Sequence, residues 1–292
     1  MQTEPILAPD VSPATLALLE QAFANQTVLT PSGPQCYREA GAACTSGLPI
    51  VLLHGIGSGA GSWLHVAMHL REQARVIAWD APGYGGSAPL AQSSPTPDDY
   101  AERLLQMLDA LNIPQCILVG HSLGTLMGSA FAHRYPARVK CLMLFSPTRG
   151  YGNPALAERR AAVLQERLKT LDEVGIAQMA RQRPARMLSS KPEPQALALV
   201  RWNMERLNEG GYRQAIEMLC NADMALYAPP VMPVAVYSGD EDVVTIPSNC
   251  QAIAGLHAAP YGSIERCGHV CQIERPAIVA ELINQFCSSK EK

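Results

Sequence analysis

The chain has 292 residues, 48% hydrophobic and 17% charged, a balance that suits a large buried core and excludes a disordered chain. Lys and Arg number 23 against 26 Asp and Glu, a net charge of -3, so no basic excess exists to neutralise a phosphate backbone and nucleic acid is not an expected partner. The longest apolar runs, 50–53 and 141–145, fall far short of a bilayer span, and the opening MQTEPILAPD has neither the cationic start nor the apolar block of a secretory signal.

Residues 10–26 read as a helix, with Ser12 placed to cap it, Pro13 at its first position, and Leu16, Leu19 and Phe23 on one face that packs on the body. Residues 36–40 suit an antiparallel edge strand. Short apolar runs follow at 49–54, 75–80, 116–120, 139–146, 232–238 and 263–267. Each is bounded by Gly or Pro and apolar on consecutive positions, as strands buried on both faces require. Helical periodicity fills 63–73, 97–111, 123–135, 248–255 and 276–286, and this alternation predicts an α/β fold with a mostly parallel twisted sheet and helices on both faces. The interval 149–230 breaks the pattern: it has no strand-like run and is rich in Ala, Leu, Arg, Glu and Met, so it reads as a helical insertion. The expected organisation is an N-terminal extension over 1–30, a core made of 31–148 and 231–292, and an inserted helical cap over 149–230. Nine cysteines, at 36, 44, 116, 141, 220, 250, 267, 271 and 287, show no C-x-x-C spacing, which fits a reduced, soluble, cytoplasmic protein.

The strongest chemical signal is G-H-S-L-G at 120–124, directly after a buried-type strand and before a helix. Small flanking residues let a serine sit on a strained strand-to-helix turn with its hydroxyl above the sheet. Taken alone, the pentapeptide is also compatible with an ordinary glycine-flanked turn. A serine nucleophile needs a base and a group that orients the base. His269, just past the last apolar run, is the candidate base, and Asp242 in G-D-E-D at 239–242 is the candidate orienting acid, with Asp240 and Glu241 as competitors. His133 and His257 read as ordinary structural histidines. His65 and His69 stand four apart with no third ligand nearby, so no metal is expected. The loop H-G-I-G at 54–57 can offer a backbone N–H to a developing oxyanion, which makes Ile56 and Leu123 the candidate donors. The stretch 80–87, D-A-P-G-Y-G-G-S, reads as a structural turn near the mouth of the site.

Together these pieces resemble the α/β-hydrolase fold family from about residue 36 to 286, through H-G-I-G, D-A-P-G-Y-G-G-S, G-H-S-L-G, G-D-E-D-V-V-T-I-P and G-H-V-C-Q-I-E-R-P. The resemblance implies a triad of Ser122, Asp242 and His269, an oxyanion hole at Ile56 and Leu123, and no cofactor. It aligns the family's acid with Asp242 rather than Asp240 or Glu241, and it places a cap where residues 149–230 fall. The implied activity is hydrolysis of a carboxylic ester, lactone or thioester of a small to medium substrate. Two alternatives stand beside it: carbon–carbon hydrolysis of the meta-cleavage product type, and a ligand receptor on the same scaffold. The run 54–63 is similar to that of the meta-cleavage hydrolases, whereas His121 and Val270 stand where they typically carry Asn and Trp. The expected partner is a small-molecule substrate, without membrane or nucleic acid, and self-association is left open.

Within the insertion most charges suit a solvated helical face. An arginine turned inward would bind a substrate carboxylate in bidentate fashion, and Arg181, Arg183 and Arg186 are the candidates. Met179, Met187, Trp202, Met204, Met218, Met224 and Tyr227 stand at helical spacing, which favours a core within the insertion over an apolar acyl pocket. Trp202 is kept as a substrate-binding candidate.

Overall fold

The computed structural model describes residues 9–41 and 47–288. The first eight residues of the opening segment, Cys44 and the side chain of Cys287 lie outside it. In chain order the elements are α1 (Pro13–Gln21), β1 (Asn25–Thr30), β2 (Gly33–Ala40), β3 (Ile50–Leu53), α2 (Leu64–Leu70), β4 (Val76–Trp79), α3 (Pro97–Ala110), β5 (Cys116–His121), α4 (Leu123–Arg134) and β6 (Val139–Phe145). Then come α5 (Ala157–Gln182), α6 (Pro194–Glu205), α7 (Glu209–Asn221), β7 (Val234–Gly239), α8 (Pro247–Leu256), β8 (Tyr261–Ile264), α9 (Cys271–Glu274) and α10 (Pro276–Ser288).

Helix α1 begins as its residues dictate: Ser12 Oγ accepts the Thr15 N–H at 3.2 Å and Pro13 takes the first position. It stops at Gln21, not at 26 as expected, because the chain turns into β1. Thr27, Val28 and Thr30 favour extended backbone. The turn through Gly33, at φ 105°, folds β1 onto β2 with Asn25 opposite Arg38 and Thr30 opposite Gly33. As an edge strand, β1 leaves Leu29 78% exposed, so no apolar run announces it. The last strand also differs from expectation, covering Tyr261–Ile264 instead of 263–267. The charged pair Glu265–Arg266 is a turn, with Arg266 at φ 50°, that sends the chain back toward the site.

The eight strands lie in the order β1-β2-β4-β3-β5-β6-β7-β8. The β1/β2 and β2/β4 pairs are antiparallel and the rest are parallel. Period-two alternation divides the core. Val51, Leu53, Ile77, Trp79, Leu142 and Leu144 face α3, α4 and α8, while Ile50, Leu52, Val76, Ala78, Cys141 and Met143 face α1, α2 and α10. Each of the Val, Leu, Ile and Met side chains among these, once removed from water, contributes about 2 kcal/mol before conformational entropy is charged against it. Helix α3 carries a full capping box, in which Thr96 and Asp99 each satisfy the other's backbone.

Between β6 and β7 the chain is helical. Helix α5 breaks at Gly175 (φ 73°, ψ 164°), and the side chains of α6 and α7 extend both core faces: Leu197 and Leu199 join the α2 side, Ala215 and Ile216 the α4 side. The seven described cysteines with placed side chains are all buried. No helix among the described residues is long and apolar enough to cross a membrane.

Candidate active site

The carboxyl ends of the parallel strands carry the site. Ser122 sits between β5 and α4 with φ 50° and ψ -115°, a left-handed backbone that a non-glycine residue holds only when its surroundings force it. The flanking glycines are part of that force: a Cβ on Gly120 would meet Gly124 O at 2.6 Å, and one on Gly124 would meet Leu53 O at 2.5 Å. The Ser122 N–H donates to Phe145 O at 3.0 Å, which pins the turn to the neighbouring strand. Ser122 is 8% exposed and lines a cavity of about 360 Å³ together with His269, Ile56 and Leu123.

His269 Nδ1 donates to Asp242 Oδ2 at 2.9 Å, and both side chains are buried. That partner fixes the Nδ1–H tautomer and leaves the Nε2 lone pair free to accept a proton. The carboxylate is held on every side. Asp242 Oδ1 accepts the Val244 and Thr245 N–H groups at 2.8 and 2.9 Å, and the Thr245 hydroxyl lies 2.9 Å from Oδ2, 3.2 Å from His269 Nδ1 and 3.0 Å from Ser146 O. Burial pushes the Asp242 pKa up, but the charge and hydrogen bond of His269, with the N–H donors, outweigh it and bring it down to about 2. The competing acids have other partners: Asp240 Oδ1 accepts the Cys267 N–H at 3.1 Å, and Glu241 Oε2 accepts the Ser190 N–H at 2.7 Å.

The loop after β3 is set by histidine chemistry. Ala81 N–H donates to His54 Nε2 at 3.0 Å, so Nδ1 carries the proton and donates to Gly55 O at 2.8 Å. Ser58 N–H also donates to that carbonyl, at 3.2 Å. In a trans peptide the Ile56 N–H points opposite to Gly55 O, away from these partners. Neither the Ile56 nor the Leu123 N–H has a protein acceptor among the described residues, and Leu123 opens α4, where the helix end adds positive potential. Tyr84, in the 80–87 turn, donates its hydroxyl to Ile56 O at 2.9 Å and packs its ring 4.7 Å from that of His54.

Several contributors escaped the sequence reading. His121 is buried, with Nε2 donating to His269 O at 2.8 Å and Nδ1 accepting from Gln272 Nε2 at 3.2 Å. Burial first, then the neighbouring His269, pushes its pKa down to about 3, so it stands neutral as a strut for the His269 backbone. Met187 O accepts the His269 and Val270 N–H groups at 2.9 and 3.2 Å. Glu274 accepts the Gly268 N–H at 2.7 Å, the Ser189 N–H at 2.9 Å and the Ser189 hydroxyl. A strap of the inserted segment is therefore bonded to the loop that carries His269. A lone carboxylate between Ile273 and Arg275 was the only sequence signal for Glu274.

The inserted helices close the cavity with charge. Arg159, Glu166 and Arg167 of α5 line it, with Arg183 and Arg186 from the turn that follows, whereas Arg181 is exposed and lies outside. Arg183 Nη1 donates to the Tyr212 hydroxyl at 3.0 Å, and Arg159, Arg167 and Arg186 form no ion pair among the described residues. Met187 and Met204 reach the cavity. Met179, Met218, Met224 and Tyr227 pack in the core instead, and Trp202 lies in a separate cavity. His133 stacks edge-on to Tyr227, while His65 and His69 sit on α2 away from the site.

Comparison with known proteins agrees with this architecture. A 2-hydroxymuconate semialdehyde hydrolase from Pseudomonas sp. (strain CF600) is 27% identical over 84% of this chain and 89% of its own length. A thermophilic esterase from Thermogutta terrifontis superposes with a TM-score of 0.78 at 22% identity, covering 92% of this chain and 100% of that one. An enol-lactonase from Burkholderia xenovorans LB400 gives 0.78 at 24% identity, covering 90% of this chain and 100% of that one. The family model described as alpha/beta hydrolase fold matches residues 49–276, so the chain belongs to the α/β-hydrolase fold family and is a hydrolase.

Proposed function

We propose that the protein is a serine hydrolase that cleaves a carboxylic ester, lactone or thioester through an acyl-enzyme. The observation that carries this reading is the buried Asp242–His269 pair at 2.9 Å, facing a cavity that the strained Ser122 and two unpaired N–H groups also line. In the first step His269 Nε2 takes the Ser122 hydroxyl proton as Oγ bonds to the acyl carbon, and the carbonyl oxygen becomes an oxyanion that the Ile56 and Leu123 N–H groups hold. The imidazolium then gives its proton to the departing oxygen or sulfur. Water next gives a proton to His269 and its hydroxide to the acyl carbon, and the imidazolium returns the proton to Ser122 Oγ as the carboxylic product leaves. Asp242 stays ionised throughout and holds the tautomer.

The insertion acts as the cap that selects substrate. Arginines outnumber carboxylates in its part of the cavity, which favours a substrate bearing a carboxylate, with Arg183 and Arg186 as its ligands. Labelling with a fluorophosphonate, read by intact mass in wild type and Ser122→Ala, followed by a p-nitrophenyl ester series, tests the reading. One adduct that the variant lacks, with ester turnover falling ~10³-fold or more in the variant, is the expected result; ester turnover that survives Ser122→Ala overturns it. The second reading, carbon–carbon hydrolysis, draws support from the 54–63 run and from a full-length relative that is a semialdehyde hydrolase. Labelling without ester turnover would favour it.

A further inference from the structure

A second cavity, of about 320 Å³, lies behind the oxyanion loop, between residues 58–61, Arg38 of β2, Asp80 and the end of α6. Ser58 borders both cavities, so the loop that carries Ile56 is the wall between them. Two guanidinium groups flank the Trp202 indole here, with Arg38 Cζ 5.9 Å and Arg206 Cζ 3.8 Å from the ring centroid. Each arginine commits one nitrogen to the fold. Arg38 Nη1 donates to the Leu19 and Phe23 carbonyls at 2.6 Å, closing the end of α1, and Arg206 Nη1 donates to Trp202 O at 2.9 Å. The Nε and Nη2 groups of both, and the buried Trp202 Nε1, have no acceptor among the described residues.

The surrounding acids do not balance these cations. Asp80, the only carboxylate among the residues lining this cavity, accepts the Ala60 N–H on Oδ1 at 2.8 Å and forms no ion pair with either arginine. Glu205, next to Arg206, is taken by Arg201 at 2.7 Å. Burial lowers the Arg38 pKa against the pull of Asp80, with Arg206 adding to the fall, and burial lowers that of Arg206 as well.

We propose that this second cavity binds a small carboxylate anion, gripped by the free edges of Arg38 and Arg206. Paired N–H groups on a guanidinium edge match the two oxygens of a carboxylate. The Asp80 carboxylate in the same wall repels a doubly charged group, which favours a monocarboxylate over phosphate. An occupant that touches Ser58 and Gly59 braces the loop that presents the Ile56 N–H, so it acts on turnover at the neighbouring site without entering it.

The test is titration with butyrate, and with inorganic phosphate at matched ionic strength, followed by calorimetry and tryptophan fluorescence. Trp63 and Trp79 are fully buried elsewhere, so Trp202 reports. Saturable butyrate binding is expected in wild type and in the Arg183→Gln/Arg186→Gln variant, whose changes lie in the catalytic cavity. It should weaken about tenfold or more in Arg206→Gln and recover in part in Arg206→Lys. Binding lost in the Arg183→Gln/Arg186→Gln variant but kept in Arg206→Gln would overturn the proposal, placing the anion in the catalytic cavity. Phosphate binding as tight as butyrate, or no saturation by about 50 mM in folded wild type, would also overturn it.

Discussion

Replacing Glu274 by Gln keeps the side chain's shape while removing its charge and one acceptor oxygen. Glu274 is 8% exposed, and its two oxygens take the Gly268 N–H at 2.7 Å, the Ser189 N–H at 2.9 Å and the Ser189 hydroxyl. An amide presents one oxygen to these donors and turns an NH2 group toward the rest. A lost charge-assisted bond together with a stranded buried N–H costs about 2–3 kcal/mol, and at this chain length that lowers Tm by roughly 3–5 °C. The catalytic consequence follows from neighbours: Gly268 precedes His269, and the Ser189 strap also holds the Met187 carbonyl that receives the His269 N–H at 2.9 Å. Loosening both ends of this seat misplaces the imidazole, and kcat should fall about tenfold or more while KM changes little. Thermal melts, steady-state kinetics on one ester and the rate of fluorophosphonate labelling at Ser122 read these effects separately. If Tm drops as stated while kcat and the labelling rate stay at wild-type values, the strap stabilises the fold without positioning His269, and the reasoning fails.

Tyr84→Phe removes the hydroxyl that donates to Ile56 O at 2.9 Å; it should cost about 1 kcal/mol, seen as a kcat loss within about tenfold at constant KM. A change confined to KM would show that Tyr84 does not orient the loop. Arg183→Gln should raise KM about tenfold or more for half-esters of dicarboxylic acids and leave neutral esters alone; equal effects on both would remove Arg183 from carboxylate recognition. His121 and His257 are buried, with pKa values pushed down to about 3 and about 4. The unfolded chain binds their protons near pH 6.5 and the folded chain does not. Stability is thus fully present above about pH 6.5 and falls as pH drops toward the folded values, by about 1.4 kcal/mol per histidine per pH unit. Urea denaturation at about pH 7.5 and about pH 5 checks this, with His257→Leu expected to reduce the slope; a flat profile refutes it. Asp242 works lower on the scale. Its pKa near 2 stabilises the fold above the ordinary value of 3.8, and that share is lost as pH falls from 3.8 toward 2.

The nucleophile elbow was legible because its demands are local: strand, left-handed serine and helix within a few residues, with Gly120 and Gly124 required by close backbone approach. Asp242 was legible through its place at a strand tip, although only the structure gave Asp240 and Glu241 separate partners. The scaffold around them was not legible. His121 meets His269 across 148 positions and Gln272 across 151, and Ser189 meets Glu274 across 85, distances over which no periodicity operates. Edge strand β1 was hidden for a related reason, since a strand half in water carries no apolar signature. That Arg183 and Arg186 line the cavity, and Arg181 does not, depends on the turn after α5, which amphipathic spacing does not encode.

The bonding of Met187 and Ser189 to the loop that bears His269 limits how this insertion is exchanged in evolution or by grafting. A foreign segment spliced between β6 and β7 must supply a carbonyl where Met187 has one and paired donors where Ser189 has them, or the recipient histidine loses its seat along with the old specificity. A graft that keeps residues 187–190 keeps these bonds. The α5 arginines Arg159 and Arg167 line the cavity with no ion pair among the described residues, so exchanging them leaves the seat of His269 untouched.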